Sequence, residues 1–328
     1  MATRGLVKRY GPRAAVAGLD LNVPRGMVYG FLGPNGSGRT TTLRLLVGLA
    51  RPDAGSIQLL GEPYSWRDRQ RLFRVGSLIE QPSFYPYLSG RENLRVFGAA
   101  GPPTPRHRAD EVLGFVGLRE RAGDKLKTYS LGMKQRLGIA AALLSDPDLL
   151  LLDEPANGLD PGGIVAMREL LRFLTSQGKT VLVSSHILPE MEQMADVVGI
   201  IAAGRLVREG PLASVLEEGT RVRARVPEAA VGRALEVLAR LHPVGERSLP
   251  PSVEPMPGWA GERWIAVHAG RDQATQVNRA LAEAGIYASA LESGNDLETV
   301  FLSLTGPSGT EDRPGPPPGW GQPGAGGG

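Results

Sequence analysis

Along the first two thirds of the chain, apolar residues gather in short runs separated by helically spaced segments. Met27–Leu32 is one such run, and it feeds a glycine-rich turn. Leu149–Leu152 is four consecutive leucines, the pattern of a strand buried on both faces. Val181–Val183 is a third run, and Thr41–Leu49 carries helical spacing. Strand runs alternating with helical ones predict an α/β domain with a mainly parallel core sheet over residues 1 to about 218. From 219 to 305 the rhythm changes. Arg221–Val226 alternates with period two, the mark of a half-exposed strand. Glu228–Arg240 and Asp272–Ala284 read as helices, Trp264–Val267 and Ile286–Leu291 as strands. A loop with Pro250, Pro251, Pro255 and Pro257 interrupts them. Together they predict a small α+β accessory domain. Residues 306–328 are dominated by Gly and Pro without an apolar pattern, and read as a disordered tail.

Composition narrows the picture. The 328 residues suit one large domain and a smaller one. The 37 basic and 34 acidic side chains leave a net charge of +3, spread along the chain, which gives no nucleic-acid footprint. The absence of cysteine excludes disulfides, thiolate metal sites and cysteine nucleophiles, and fits a reducing cytosol. The opening MATRGLVKRYGPR lacks the apolar core of a signal peptide. No stretch reaches the roughly 18 to 20 apolar residues of a membrane helix. The longest candidate, Leu137–Leu152, is broken by Ser145, Asp146, Pro147 and Asp148. A role at a membrane therefore requires docking on another chain.

Two segments carry candidate chemistry. Gly33, Pro34, Asn35, Gly36, Ser37, Gly38, Arg39 and Thr40 have the spacing of a phosphate-binding P-loop, with Arg39 in the Lys position. The loop follows a strand and runs through Thr41 into a helical pattern. Glycines there let backbone N–H groups converge on phosphate oxygens, and the helix N-terminus adds favourable potential. The Thr40 hydroxyl suits Mg²⁺. The plainer reading is a turn that joins strand to helix. A dinucleotide fingerprint fails, because Thr41 stands where its third Gly belongs. The second segment is Asp153-Glu154, at the end of the leucine run. Strand ends of an open α/β sheet face the ligand crevice. Asp153 suits Mg²⁺ and Glu154 suits activation of a water, while a solvated acidic turn is the alternative.

Tyr129-Ser130-Leu131-Gly132-Met133-Lys134-Gln135-Arg136 opens a helix shortly before that strand. Here the chain resembles the ABC ATPase family, whose signature motif is Leu-Ser-Gly-Gly-Gln. Ser130 and Gly132 match directly; Leu131 replaces the first Gly and Met133 the Gln. These departures resemble the bacterial antibiotic and peptide export branch. Other family elements follow in order. Glu80-Gln81-Pro82 resembles the Q-loop, Asn157-Gly158-Leu159-Asp160-Pro161 the D-loop, and Ser184-Ser185-His186 the H-loop. Tyr10 stands where the family places an aromatic ring against adenine. Singly, Gln81 reads as a surface loop residue, His186 as a satisfied buried histidine and Tyr10 as a half-buried aromatic. A looser likeness recurs at Leu297–Leu302.

The resemblance implies an ATPase that uses ATP and Mg²⁺. It implies catalytic roles for Glu154, His186 and Gln81, and metal contacts from Thr40, Gln81 and Asp153. Tyr10 and Gly33 to Thr41 would hold the nucleotide. Ser130, Leu131, Gly132 and Met133 would face the nucleotide of a second ABC subunit, in a homo- or heterodimer whose D-loop contact includes Asp160. A separate transmembrane permease would keep the pair on the inner face of the cell membrane. Residues 81 to 118 would form a helical subdomain. Its Phe84, Tyr85 and Tyr87 read equally as local core or as a pocket for a cytoplasmic helix of the permease. Arg39 keeps a second function open, a nucleotide-dependent clamp that binds ATP and scarcely hydrolyses it. A translation-associated ABC protein would carry two fused domains, and a chromosome-maintenance ATPase a long heptad insertion; neither is in the sequence.

Overall fold

The computed structural model describes the chain except residues 66, 69, 81–82, 106, 219, 242–250, 254–260, 270–272, 296 and 306–328. The candidate residue Gln81 and the expected tail lie outside the described residues. The chain begins with β1 (Ala2–Tyr10), β2 (Arg13–Asn22), β3 (Val28–Leu32), α1 (Arg39–Leu46), β4 (Ala54–Leu59), β5 (Glu62–Tyr64) and β6 (Val75–Leu78). Next come α2 (Gly90–Ala99), α3 (Arg108–Phe115), α4 (Leu131–Ala142), β7 (Leu149–Asp153), α5 (Pro161–Ser176) and β8 (Thr180–Ser185). These are followed by α6 (Leu188–Met194), β9 (Val197–Ala202), β10 (Arg205–Pro211) and α7 (Leu212–Glu218), the last element of the expected first domain. Then follow β11 (Thr220–Pro227), α8 (Val231–Leu241), β12 (Ser252–Val253), β13 (Glu262–His268), α9 (Ala274–Glu283), β14 (Ala290–Asn295) and α10 (Leu297–Thr305).

Three sheets form among the described residues. The central one has the order β10-β9-β3-β8-β7-β6 and is parallel except for the β9–β10 hairpin. All of β3 and β8, and the four leucines of β7, are buried, as a sheet covered on both faces requires. On one face lies the antiparallel sheet β2-β1-β4-β5, with Leu6, Leu19, Leu21 and Ile57 packed on Phe31, Leu151 and the α1 leucines. On the other lie the helices, with Leu94, Val112, Leu137, Leu171 and Met191 packed on Leu150, Leu152 and Val183. Each large apolar side chain so buried contributes on the order of 1.5–3 kcal/mol. The α/β architecture expected from the run pattern is the observed one.

Among the elements whose bounds differ from the expected ones, two have a clear local cause. The first helix begins at Arg39 rather than Thr41, because Gly38 at φ 109° turns the chain directly into it. It ends at Leu46, before Gly48 at φ 73°. The strand expected at Ile286–Leu291 starts only at Ala290. Gly285, at φ 71°, closes α9 instead. Its N–H reaches Ala282 O at 2.9 Å, and the Ile286 N–H reaches Leu281 O at 2.9 Å. That is the paired C-terminal motif in which the second residue past the helix packs back on it. Ile286 is apolar for this reason and is buried in the accessory core.

The C-terminal sheet has the order β12-β13-β11-β14, antiparallel throughout. With α8 after β11 and α9 after β13, this is the β-α-β-β-α-β, ferredoxin-like arrangement. Val222, Ala224 and Val226 alternate inward against Leu238, Ile265 and Leu281. The last helix leaves this unit. In α10, Leu297 and Val300 are buried in the core of the first domain, and the Leu297 N–H donates to the Glu192 carboxylate on α6. Residues 219–305, expected as one accessory unit, therefore lend their final helix to the larger core. Among the described residues no helix is long and apolar enough to cross a membrane.

Candidate functional site

The strand ends of the central sheet gather the candidate residues. β3 runs into Gly33 and the glycine-rich turn, β7 ends in Asp153, and β8 is followed by His186. Gly38 has to be glycine. Its φ is 109°, and a Cβ there would sit 2.2 Å from the Ala15 carbonyl oxygen. A Cβ on Gly33 would lie 2.5 Å from the Ile201 carbonyl oxygen. The turn is thus packed to the backbone on both sides. Within it the Ser37 hydroxyl is buried without a hydrogen-bond partner among the described residues. An orphaned donor in such a turn fits a phosphate oxygen.

Arg39, only 7% exposed, opens α1. Its Nη1 lies 2.7 Å from Glu154 Oε1 as an ion pair, off the axis that a hydrogen bond needs. Its Nη2 reaches Asn35 Oδ1 at 3.5 Å. The other Glu154 oxygen, Oε2, is 2.7 Å from His186 Nδ1. Glu154 is therefore gripped between the P-loop cation and the imidazole. Its backbone sits in the left-handed region at φ 49°, which costs a non-glycine residue about 1–2 kcal/mol. The Glu154 N–H pays this back by donating to both the backbone oxygen and the hydroxyl of Ser184, each at 3.1 Å. The Ser184 hydroxyl in turn donates to Asp153 Oδ1. Backbone strain held at a ligand crevice is a mark of function. On α6, the carboxyl of Glu190 is raised above the usual range, chiefly by burial, with Glu154 adding to the rise and His186 opposing it.

Tyr10, Asn35, Gly36, Gly38, Arg39, Thr40, Thr41, Glu154 and His186 line one cavity of about 720 Å³. That is within the range of small-molecule sites. Tyr10 is half exposed at its rim, with Lys8 Nζ 5.4 Å from the ring centroid. Arg13, Ala15 and Asn157 line the same cavity. Neither Arg13 nor Ala15 follows from the motifs, because nothing in the spacing marks the start of β2. Asn157 sits in the D-loop segment, yet faces this cavity.

The signature residues lie elsewhere. Ser130 caps α4, its hydroxyl accepting from the Met133 N–H at 3.3 Å. Ser130, Leu131 and Gly132 share a separate cleft of about 550 Å³ with Leu159 and Asp160. Asp160 caps α5 by accepting from the Gly163 N–H at 3.2 Å. Met133 is partly buried against the helical core. Within one chain, then, Ser130, Leu131, Gly132 and Asp160 lie outside the Tyr10 cavity, and of the D-loop segment Asn157 lines it. Of the aromatic cluster, Phe84 packs into the core against Phe97, ring centroids 5.1 Å apart. Tyr85 and Tyr87 are exposed, Tyr87 at 76%.

Among the described residues no cluster of three or more His, Asp or Glu side chains forms a self-sufficient metal site. Thr40 lines the Tyr10 cavity, while Asp153 ends β7 with Oδ1 accepting from Ser184; a hydroxyl and a carboxylate are oxygen donors of the kind Mg²⁺ takes, beside substrate phosphates and waters.

A phosphate cradle between strand and helix, with paired carboxylates at the end of another strand of the same sheet, defines a P-loop nucleotide-binding protein. Comparison with known proteins refines the class. The ABC transporter family profile matches residues 16–157. The bacitracin transport ATP-binding protein BcrA of Bacillus licheniformis is 48% identical over 210 residues, which is 64% of this chain and 69% of that protein. The lantibiotic transport ATP-binding protein SrtF of Streptococcus pyogenes is 42% identical over 206 residues, 63% of this chain and 88% of that protein. The solved structure of an ABC transporter ATP-binding subunit superposes with a TM-score of 0.59 at 28% identity, covering 65% of this chain and 90% of that one. A dimeric bacterial ABC transporter cassette does so with a TM-score of 0.58 at 26% identity, covering 64% and 98%. The chain belongs to the ATP-binding subunits of the ABC transporter family.

Proposed function

We propose that this chain is the ATP-hydrolysing motor of an ABC exporter, held by a separate membrane permease on the inner face of the membrane. The observation that carries the reading is Glu154, at the junction of Arg39 and His186 in the nucleotide-sized cavity. Tyr10 offers a ring to the base. The backbone N–H groups of Gly36 to Thr40 and the N-terminus of α1 receive the phosphates. Mg²⁺, when bound through Thr40 and Asp153, supplies neutralisation of phosphate charge. Glu154 accepts the proton of the water attacking the γ-phosphorus, and His186 fixes the orientation of its carboxylate.

The separate cleft of Ser130, Gly132 and Asp160 supports a head-to-tail dimer. There the N-terminus of α4 meets the nucleotide held by the other subunit. ATP favours the closed pair and hydrolysis the open one, a population shift that drives the permease. The likeness to BcrA and SrtF supports export of peptide antibiotics or similar amphipathic compounds. A second reading is favoured by the grip of Arg39 on Glu154. It is a nucleotide-dependent clamp in which the carboxylate is never released to water.

Glu154→Gln tests the assignment. Loss of the proton acceptor should lower turnover about 10²- to 10⁴-fold while leaving the phosphate cradle intact. Size-exclusion chromatography with ATP and Mg²⁺ should then show a stable dimer. Unchanged steady-state hydrolysis would remove Glu154 from the mechanism.

A further inference from the structure

Arg13 opens β2, just past the Gly11-Pro12 turn that joins it to β1. Its Nη2 donates to the carbonyl oxygen of Gly36, in the middle of the P-loop, at 3.1 Å. Its side chain also lines the cavity shared by Tyr10, Thr40 and Glu154. The charge balance of that cavity sets it apart. The cation at the P-loop Lys position, Arg39, already faces Glu154 at 2.7 Å. Arg13 has no carboxylate in ion-pair contact among the described residues. An incoming triphosphate therefore meets Arg13 as the uncompensated charge.

The cavity has a direction. Tyr10 marks the base end, and Glu154 with His186 marks the end where the γ-phosphate reacts. Arg13 follows Tyr10 closely in sequence, is tethered to Gly36 of the P-loop, and lines the same cavity as both ends. We propose that Arg13 is a nucleotide ligand whose guanidinium binds the α- and β-phosphates that ATP and ADP share. The planar fork has donors left after its bond to Gly36, and two of them match a pair of phosphate oxygens. The bond to the Gly36 carbonyl fixes the fork beside the loop before the nucleotide arrives. Discrimination of ATP from ADP falls to Arg39, which exchanges Glu154 for the γ-phosphate. This inference rests on the reading of the cavity as a nucleotide site.

The experiment is a fluorescence titration with mant-ATP and mant-ADP. It uses the full-length protein, Arg13→Ala and Arg13→Lys, each at low and high salt. Losing one charge-assisted contact should weaken both nucleotides about tenfold in Arg13→Ala. The ratio of ATP to ADP affinity should stay within about twofold, and the salt dependence should become shallower. Arg13→Lys should restore the salt dependence and part of the affinity. Natural affinity in Arg13→Ala, a loss confined to mant-ATP, or an Arg13→Lys variant indistinguishable from Arg13→Ala each overturns the assignment. Binding of neither nucleotide by the natural protein overturns the cavity reading itself, and the role of Arg13 with it.

Discussion

At Arg39 a planar, five-donor fork stands where the P-loop pattern has a compact ammonium. The substitution is legible in the sequence, but its consequence is not. Arg39 and Glu154 are far apart in the chain, and only the β3–β8–β7 neighbourhood brings them to 2.7 Å. The left-handed backbone at Glu154 was equally hidden, since glycine is the usual signal for that conformation and a carboxylate occupies it here. Residue chemistry away from the cavity also yields a prediction. Asp146 accepts from Lys179 Nζ at 2.8 Å and from Arg108 Nη2 at 3.0 Å. The Lys179 bond, aided by Arg108, holds its carboxyl below the ordinary value of 3.8. A depressed folded-state value means that the stabilisation is present above the unfolded value and is lost as pH falls through the folded one. Asp146 is mostly exposed, so the effect is modest. Thermal melts should show Asp146→Asn slightly less stable than the natural protein at neutral pH. The difference should close below pH 3.8. A difference that persists in acid would show that the charge is not its source.

At the scale of elements, the run pattern is a good guide where a strand is buried on both faces. The leucines of β7 and the valines of β8 are such cases. It fails where an apolar residue serves a turn, as Ile286 does after α9. It also says nothing about which core a helix joins. The sequence of α10 is as apolar as an accessory-domain helix would be, yet Leu297 and Val300 are buried against the first domain. Because α6 begins just after His186 and carries Glu192, the contact of Glu192 with the Leu297 N–H ties α10 to the helix that follows His186 in the chain. Leu297→Ala removes a fully buried side chain and should cost about 2–5 kcal/mol. Urea unfolding should show the whole transition of the first domain moving to lower denaturant. An unmoved midpoint would place α10 outside that core.

At the scale of the molecule, the two clefts explain why the site was only half visible in the sequence. The order of motifs along the chain is a one-dimensional signal, and it names the P-loop, the carboxylates and the signature alike. That Ser130 and Gly132 open on a different cleft from Tyr10 and Glu154 is expected from the family resemblance and not from the order itself. In the proposed dimer, that separation gives each subunit one nucleotide cradle and one signature face, and a working site takes two chains. The ferredoxin-like unit was legible as alternating strands and two helices. Its strand order was not, because β12 is two residues long and leaves no pattern. The central claim is that Glu154 acts as a base despite its pairing with Arg39. Single-turnover ATP hydrolysis by the natural protein, Arg39→Lys and Glu154→Gln, with Mg²⁺ and protein in excess over ATP, tests it most directly. Hydrolysis by the natural protein and Arg39→Lys, with Glu154→Gln slower by about 10²-fold or more, is the expected result. Hydrolysis by Arg39→Lys alone, with the natural protein binding ATP and leaving it intact, would contradict it and make the chain a clamp.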